Sequence, residues 1–284
     1  MQRIQKALAH QGVGSRREID SLLEQGRISV NGKTAKPGDQ IGGGEKVEID
    51  GKRLRLNPNQ AKPKLIMYHK PLGEVCTRSD PQRRPTVYRN LPGLREGRWI
   101  GIGRLDINTS GLLLFTNHGE LANRLMHPSF EVEREYAVRI HGTVTDEMLQ
   151  QLKTGVELND GMAHFDQILD SGGEGTNHWY HVVLREGRNR EVRRLWESQG
   201  VEISRLVRIR YQNFNLPKFL KPGKSRFFDE PVVKKLYQQL ELEYPEPEHR
   251  SRRQARSDKP AGSAKTKKTT RPTRLKSTRH GRRK

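Results

Sequence analysis

The sequence contains a single cysteine, Cys76, and no long apolar run. One cysteine excludes an internal disulfide and any cysteine-based zinc cluster. The longest apolar runs, such as residues 112–115, are far shorter than the roughly 20 residues that a transmembrane helix requires, and the N-terminus has no apolar signal stretch. These absences predict a cytoplasmic protein with no membrane partner.

Several common chemistries also lack their minimum residue sets. Gly42-Gly43-Gly44 is not followed by the Lys-Ser/Thr pair of a phosphate-binding Walker segment. His178 and His181 are three residues apart on a predicted strand, which directs them to opposite faces and disfavours a metal pair. We therefore expect no metal and no small-molecule cofactor.

The net charge of +21 is unevenly distributed. Residues 249–284 hold 15 Lys/Arg and one acid, Asp258, which leaves 39 basic and 32 acidic residues, a net charge of +7, on residues 1–248. This C-terminal segment has one large aliphatic residue, Leu275, so it cannot bury enough apolar surface to offset its ordering entropy. It is predicted to be a disordered electrostatic arm for polyanions, with a solubilising tail as the alternative.

The N-terminal residues predict a compact helix-helix-strand module. Residues 3–11 have the spacing of a short amphipathic helix. In the next helix, Ser15 and Glu18 form a capping box. Two short strands follow, at residues 28–30 and 47–49, each with a hairpin turn, Asn31-Gly32 and Asp50-Gly51.

Residues 61–248 predict a larger domain, joined to the module by a linker with prolines at residues 57–64. Strands are predicted at 65–68, 99–105, 112–116, 132–140, 179–184 and 201–211, and helices at 118–127, 145–152 and 189–200. Helices and strands are intermixed, so we expect an α+β fold on a largely antiparallel or mixed sheet. The predicted domains are residues 1–60, 61–248 and 249–284.

One carboxylate, Asp106, stands in the segment Gly103-Arg104-Leu105-Asp106 between two predicted strands. Such a loop leaves a sheet edge with the carboxylate free, while Leu105 anchors the backbone. Taken alone, the segment favours a turn-capping aspartate with a structural role.

The N-terminal order of elements, with the stretch GVGSRREIDSLLEQGRISVNGKTAKPGDQI, resembles the S4 domain, a small RNA-binding module. The resemblance covers residues 2 to about 50. It implies that the basic residues around the second helix face RNA: Arg3, Arg16, Arg17, Arg27 and Lys33. The alternative for each of them is a solvated surface charge.

Four later segments, YHKPLGEVCT, GRLDINTSGLLLFTNHGELANRLMHP, EREYAVRI and LREGRNREVRRLWESQG, resemble the pseudouridine synthases and follow one another in the order of that family. The branch is typified by ribosomal small subunit pseudouridine synthase A, in which an S4 domain precedes the catalytic domain. The resemblance runs over about residues 2–230. The chain departs from many related synthases at Arg190-Glu191, where they carry His-Gln, a difference that concerns the residues around the site and not the reaction.

The resemblance implies a reaction in which the N1 to C1′ bond of uridine breaks, the base rotates and C5 bonds to C1′. Asp106 would be the catalytic carboxylate, stabilising charge at C1′, attacking it or taking a neighbouring proton. Arg193 would pair with that carboxylate, and Tyr136 would stack on the base and help to remove the C5 proton. The alternatives are a solvated helix charge for Arg193 and ordinary core packing for Tyr136.

The target base must leave its stack, and the resemblance implies that Arg104 contacts RNA or fills the vacated space. Lys70 is expected to approach the RNA backbone, with a structural turn as the alternative, and Arg188 and Arg190 are further predicted RNA contacts. Overall similarity implies large-subunit (23S) ribosomal RNA as the partner, at a uridine in the peptidyl-transferase region, and a monomeric enzyme. The alternatives are a non-catalytic S4-type RNA-binding or ribosome-assembly protein, or the same chemistry on a different ribosomal RNA uridine.

Overall fold

The structure is a computed structural model that describes residues 1–42, 44–56, 61–174 and 176–246. The predicted electrostatic arm, residues 249–284, and the first half of the predicted linker, residues 57–60, lie outside the described residues. No described helix is both long enough and apolar enough to cross a membrane.

The N-terminal module, defined here as the described residues up to 56, has its own small core. Its elements are β1 (Gln2–Arg3), α1 (Ile4–His10), α2 (Arg16–Glu24), β2 (Ile28–Val30), β3 (Lys33–Thr34), β4 (Gln40–Ile41), β5 (Val47–Ile49) and β6 (Lys52–Leu54). The sheet order is β3-β2-β5-β6, with β1 paired to β4. Fully buried Leu8, Ile19 and Ile28 join the two helices to this sheet.

Capping and turn residues determine where the helices and strands of the module begin and end. The predicted capping box is confirmed, since Ser15 Oγ accepts from the Glu18 amide at 3.1 Å and the Ser15 amide donates to the Glu18 carboxylate. Both hairpin turns are confirmed as well, because Asn31-Gly32 and Asp50-Gly51 have positive φ at each residue. The helix-helix-strand order follows from these stop and turn residues.

The larger domain is built on one nine-stranded mixed sheet, which confirms the expected fold class. Its strands are β7 (Leu65–Lys70), β8 (Ile100–Ile102), β9 (Ser110–Thr116), β10 (Arg134–His141), β13 (Gln167–Glu174), β14 (Asn177–Leu184), β15 (Glu202–Tyr211), β16 (Phe214–Asn215) and β17 (Ser225–Phe227). The order is β13-β14-β10-β15-β9-β7-β17, with β16 on β15 and β8 on β9. A separate hairpin joins β11 (Val156–Leu158) and β12 (Gly161–Ala163).

Helices cover both faces of this sheet because its central strands are apolar on both faces. The helices are α3 (Gly119–Met126), α4 (Asp146–Thr154), α5 (Glu191–Glu197) and α6 (Glu230–Gln239), with short 3-10 turns at Val87–Asn90 and Pro128–Phe130. On β9, Leu113 packs in the cluster that contains α4 and α5, and Leu114 packs in the cluster that contains α3 and α6. Because successive side chains of β9 are buried on opposite faces of the sheet, this strand lies at the centre of the domain.

The pairing of β9 with β15 is the parallel one in a sheet whose other described pairings are antiparallel. Here Gly111 lies opposite Arg208 with φ +111°, and a Cβ at Gly111 would lie 2.3 Å from the Arg208 carbonyl oxygen. Only glycine permits backbones to approach this closely. The first residues of β9 are thereby held against β15, directly after the Asp106 loop.

The module meets the larger domain through α1 and α3. A Cβ at Gly12 would lie 2.9 Å from the Gly97 carbonyl oxygen, so the two backbones nearly touch. The rings of His10, at the end of α1, and His118, before α3, are stacked at 6.3 Å between centroids. Burial, followed by the proximity of His118, lowers the pKa of His10 to about 4 from 6.5.

We expect Gly111→Ala to destabilise the protein strongly, because the added methyl group meets rigid backbone as well as an unfavourable φ. Gly142→Ala is the matched control, since Gly142 has φ +122° and open space where the Cβ would lie. Gly111→Ala should lower the free energy of unfolding by at least about 2 kcal/mol more than the control. Equal losses in urea denaturation of the two variants would contradict the close approach.

We also expect the free energy of unfolding to fall as the pH drops from about 6.5 to about 4. The depressed pKa means that unfolded His10 binds a proton more readily in this window, so stability is present above it and lost within it. Because His10 is partly exposed, the contribution is reduced to about 1 kcal/mol between pH 7 and pH 5. The measurement compares denaturation at both pH values in wild type and His10→Gln.

The His10→Gln variant should lose less stability than wild type between these pH values. His141→Gln, which removes an exposed histidine, should retain the full loss. A His10→Gln variant with the pH dependence of wild type would show that the neutral His10 ring does not contribute to the contact between α1 and α3.

Candidate active site

Asp106 lies in the loop that connects β8 to β9, at residues 103–109. Leu105 anchors the loop in the core, and its backbone exchanges two contacts with Cys76 Sγ, at 3.3 Å and 3.4 Å. The Asp106 carbonyl accepts from the Thr109 amide at 3.0 Å, which closes a turn. The Asp106 carboxylate itself has no hydrogen-bond or ion-pair partner among the described residues, so it remains available to a substrate.

Lys70 supports the end of this loop from the interior. Its side chain is 0% exposed, and Nζ donates to the Thr109 carbonyl at 2.8 Å and to the Pro71 carbonyl at 3.0 Å. Burial lowers the pKa of Lys70, an effect that the nearby acidic groups oppose. This burial and these two carbonyl contacts favour the structural-turn alternative over the predicted approach of Lys70 to the RNA backbone.

Arg193, on α5, supports the loop from the other side. Its Nη2 donates to the Asn108 carbonyl at 2.8 Å. Burial, and then the charge of Arg190, lowers the pKa of Arg193, whereas the Asp106 carboxylate raises it. The Arg193 and Asp106 charges therefore interact electrostatically. Among the described residues, however, their side chains form no ion pair within 4.0 Å. The predicted pairing is thus not formed in the structure, although both side chains line one cleft.

Tyr136 borders the same cleft from β10. It is 9% exposed and pairs with Arg208 across the β10–β15 ladder, next to a register shift between Glu135 and Tyr136. Its ring packs in the core cluster, as the alternating strand predicts. Its hydroxyl has no hydrogen-bond partner in the part of the chain that is described. Tyr136 therefore packs against the core and also lines the cleft.

The cleft has a volume of about 340 Å³ and is strongly basic. Six arginines line it, against three acids, Asp106, Glu186 and Glu191. The arginines are Arg104, Arg134, Arg188, Arg190, Arg193 and Arg208. An excess of cations around one unpaired carboxylate suits a polyanionic substrate that presents a single reacting centre to that carboxylate.

The predicted RNA-contacting arginines of this domain differ in their exposure and in how many hydrogen bonds they already make within the chain. Arg104 is exposed and has no ion-pair partner among described residues. Arg188 is largely occupied, since it donates to the carbonyls of Gly161 at 3.0 Å and Met162 at 2.7 Å. Arg190 has a left-handed backbone at φ 50° and donates to Glu197 at 3.2 Å.

Arg190 and Glu191, where the chain departs from many related synthases, lie at the start of α5. Glu191 is buried, and its carboxylate accepts from the Arg188 amide at 3.1 Å at the start of α5. Burial raises the pKa of Glu191. The left-handed Arg190 makes α5 begin at Glu191 rather than at the predicted Asn189.

In the N-terminal module, all five predicted RNA contacts are exposed. Arg3 and Arg16 line one cleft together with Lys6. Arg27 is committed to Asp50 through two hydrogen bonds of 2.7 Å and 2.6 Å, so it is the least available of the set. Arg17 and Lys33 have no partner among the described residues.

Two arginines of the cleft were missed by sequence reasoning. Arg208 is 1% exposed, donates to the Leu112 carbonyl at 2.8 Å and lies over the Tyr211 ring at 4.9 Å. The sequence could have indicated this, because Arg208 lies two residues after the apolar Leu206 on a predicted strand and therefore on the same, inward face. Arg134 joins the start of β10 to the Glu186 carbonyl at 2.9 Å, a contact without a local sequence signal.

Among the residues that the structure describes, no group of three or more His, Cys, Asp or Glu could hold a metal ion. His178 and His181 illustrate this, because each contacts a different carboxylate. His178 lies 2.6 Å from Asp170, and His181 lies 3.3 Å from Glu135.

Two family models match the chain. Residues 64–198 match the RNA pseudouridylate synthase model, and residues 2–47 match the S4 domain model. A solved structure described as a pseudouridylate synthase has the same fold, with a TM-score of 0.58 at 23% identity, covering 83% of this chain and 100% of that one.

Curated relatives with high identity carry the name ribosomal large subunit pseudouridine synthase B. The chain is 59% identical to the protein of Haemophilus influenzae over 78% of its own length, 53% identical to that of Yersinia pestis over 85%, and 57% identical to that of Escherichia coli (strain K12) over 78%. The match spans 63% of the Haemophilus protein, less than two thirds of its length, and 77% of each of the other two.

We expect Lys70→Met to loosen the Asp106 loop, because it leaves the Thr109 and Pro71 carbonyls without their donor. Amide hydrogen exchange of residues 106–109 should become about tenfold faster, the equivalent of about 1.4 kcal/mol. Lys153→Met, at an exposed position on α4, is the control and should leave this peptide unchanged. Unaltered exchange in Lys70→Met would remove the supporting role that we assign to this ammonium.

Proposed function

This chain belongs to the S4-containing family of RNA pseudouridine synthases, and on that premise we propose that it converts a uridine of large-subunit (23S) ribosomal RNA to pseudouridine. The observation that carries the proposal is the unpaired Asp106 carboxylate within a cleft lined by six arginines. The names of the relatives support the large ribosomal subunit as the source of the RNA. Their likeness to this chain also motivates the finer proposal, a uridine in the peptidyl-transferase region.

In this proposal Asp106 acts on the sugar carbon of the target nucleotide. Breaking the N1 to C1′ bond develops positive charge at C1′, and a carboxylate beside it stabilises that charge, bonds to C1′ or takes a neighbouring proton. All three routes require a carboxylate with free lone pairs, which the loop supplies. The isomerisation moves one bond from N1 to C5 without redox change, so the proposal includes no cofactor.

Arg193 is proposed to orient the carboxylate as the substrate closes over it. Its guanidinium already holds the loop at Asn108, so a small side-chain movement could bring the opposite charges into direct contact. Tyr136 is proposed to stack on the displaced base, with its free hydroxyl close to the C5 proton that must leave. Both assignments use side chains that the cleft brings together with Asp106.

The remaining basic residues are proposed to bind the RNA around the extruded base. Arg104, exposed beside the carboxylate, would enter the space that the base leaves in its stack. Arg190 and the exposed cations of the S4 domain would contact phosphates. Arg188 would do so by exchanging its contacts with the Gly161 and Met162 carbonyls for a phosphate. Ribosomal RNA as the partner supports action in the cytoplasm, and we propose that the enzyme acts as a monomer.

Asp106→Asn is expected to abolish conversion while RNA binding remains. Removing the charge should lower turnover by at least roughly 10³-fold, or about 4 kcal/mol of transition-state stabilisation. Turnover is measured as tritium release from RNA labelled at uridine C5, and binding as the dissociation constant for the same RNA. Asp229→Asn, which removes an exposed carboxylate with no ion pair among the described residues, is the matched control and should retain full activity.

An Asp106→Asn variant with wild-type turnover would contradict the enzymatic assignment. Wild-type protein that binds this RNA without releasing tritium would favour the non-catalytic RNA-binding alternative. The site of action is tested by mapping pseudouridines in 23S ribosomal RNA with and without the gene. Loss at a uridine outside the peptidyl-transferase region would retain the chemistry and replace the target.

A further inference from the structure

A second cleft, the inter-module cleft, lies between the N-terminal module and α3. Its volume is about 380 Å³. The module contributes Lys6 and Arg16, the larger domain contributes Arg98 before β8, and α3 forms one wall. The S4 resemblance implies an RNA contact for Arg16, but neither it nor the isomerisation assigns a role to Lys6, to Arg98 or to the cleft as a whole.

The cations of the inter-module cleft are poorly compensated. Lys6 and Arg16 have no ion-pair partner among the described residues, and Arg98 has only a distant contact, 3.9 Å from the exposed Glu18 carboxylate. Burial, and then neighbouring Arg78, lowers the pKa of Arg98. One acid, Glu120, lines the cleft. Three like charges converge on one concave surface, an arrangement that favours an anionic occupant.

The inter-module cleft and the active-site cleft share one lining residue, Met126, at the end of α3. The lining residues Gly119, Asn123 and Met126 are spaced by four and three residues, so they form a single stripe on that helix. Met126 also lines the cleft that contains Asp106. An eight-residue helix is about 12 Å long, so a short length of nucleic acid strand spans from one cleft to the other.

We propose that the inter-module cleft binds phosphates of the RNA strand that flanks the target uridine, so that the S4 domain and the catalytic domain hold one continuous strand. Lys6, Arg16 and Arg98 supply the charge, and the Asn123 side chain at the cleft wall supplies a neutral donor. This inference rests on the proposed function, because the strand that leaves the active site is the substrate. An acidic protein segment would also match the charge of the cleft. Because Met126 lines both this cleft and the one that contains Asp106, we favour the RNA strand as the occupant.

The test compares two RNAs and three variants in the full-length protein. The RNAs are the minimal 23S ribosomal RNA hairpin that contains the mapped uridine and the same hairpin with its flanking strands. The variants are Lys6→Gln, Lys6→Gln/Arg98→Gln and the control Lys153→Gln, which removes one exposed cation outside both clefts. Because Arg98 is half-buried, Lys6→Gln alone tests the cleft if the double variant misfolds.

On the extended RNA we expect the double variant to raise both the dissociation constant and KM about fivefold or more, and Lys6→Gln to raise them about twofold. Its kcat should stay within about twofold of wild type, since these side chains are remote from the reacting atoms. The slope of log affinity against log salt should become shallower by about one for each phosphate that the protein no longer neutralises. On the minimal hairpin, wild type and both variants should agree.

Equal affinity of wild type and variants for the extended RNA would overturn the proposal. So would a weakening that is the same on both RNAs, because the effect would then be structural. A variant that binds naked RNA normally but fails on assembling ribosomal particles would assign the cleft to a protein partner instead. The dissociation constants do not depend on conversion, so a failure of the proposed function, seen as wild type without tritium release, is a separate result.

Discussion

At the junction of β9 and β15, the backbone of Gly111 lies against that of Arg208 in a contact with no room for a Cβ. This contact brings together strands that are distant in sequence, because Asp106 precedes β9 whereas Arg208 is central to β15. It also aligns Tyr136, which pairs with Arg208 on the far side of β15. The sheet therefore sets the spacing between Tyr136 and the start of β9, to which the Asp106 loop is attached.

The cations around the loop bind its backbone and leave its carboxylate unpaired. Lys70 donates to Thr109 and Arg193 donates to Asn108, both to carbonyl oxygens. Among the described residues neither cation forms an ion pair with Asp106, so the direct contact proposed for Arg193 would form only as the substrate binds. Binding the carbonyls instead orders the loop, and the lone pairs of the Asp106 carboxylate stay free for a substrate. The buried Lys70 ammonium thus holds the loop through its backbone, while the Asp106 carboxylate of the same loop stays unpaired among the described residues.

The sequence was most informative where structure is determined locally. The Ser15–Glu18 capping box and the Asn31-Gly32 turn are short-range signals, and the structure confirms both. It was least informative where long-range burial decides. Lys70 is polar in a turn-like sequence, yet the sheet encloses it completely. The helix α6 was not predicted, because its buried apolar residues pack with strands far along the chain, β7 and β9. The hairpin of β11 and β12 and the strand β13 were not predicted either.

The active-site cleft and the inter-module cleft address different requirements of one substrate. Chemistry at C1′ requires a rigid carboxylate, but it is indifferent to the sequence around the uridine, so a site built from Asp106 and Tyr136 alone would modify uridines without selection. Selection must then come from contacts beyond the reacting nucleotide, and such contacts can be spaced only by a rigid element. Helix α3 is that element, since one of its ends faces the module and Met126 at its other end borders the chemistry. Under the two proposals above, discrimination among uridines depends on the spacing between the two charged clefts, in addition to the residues that react.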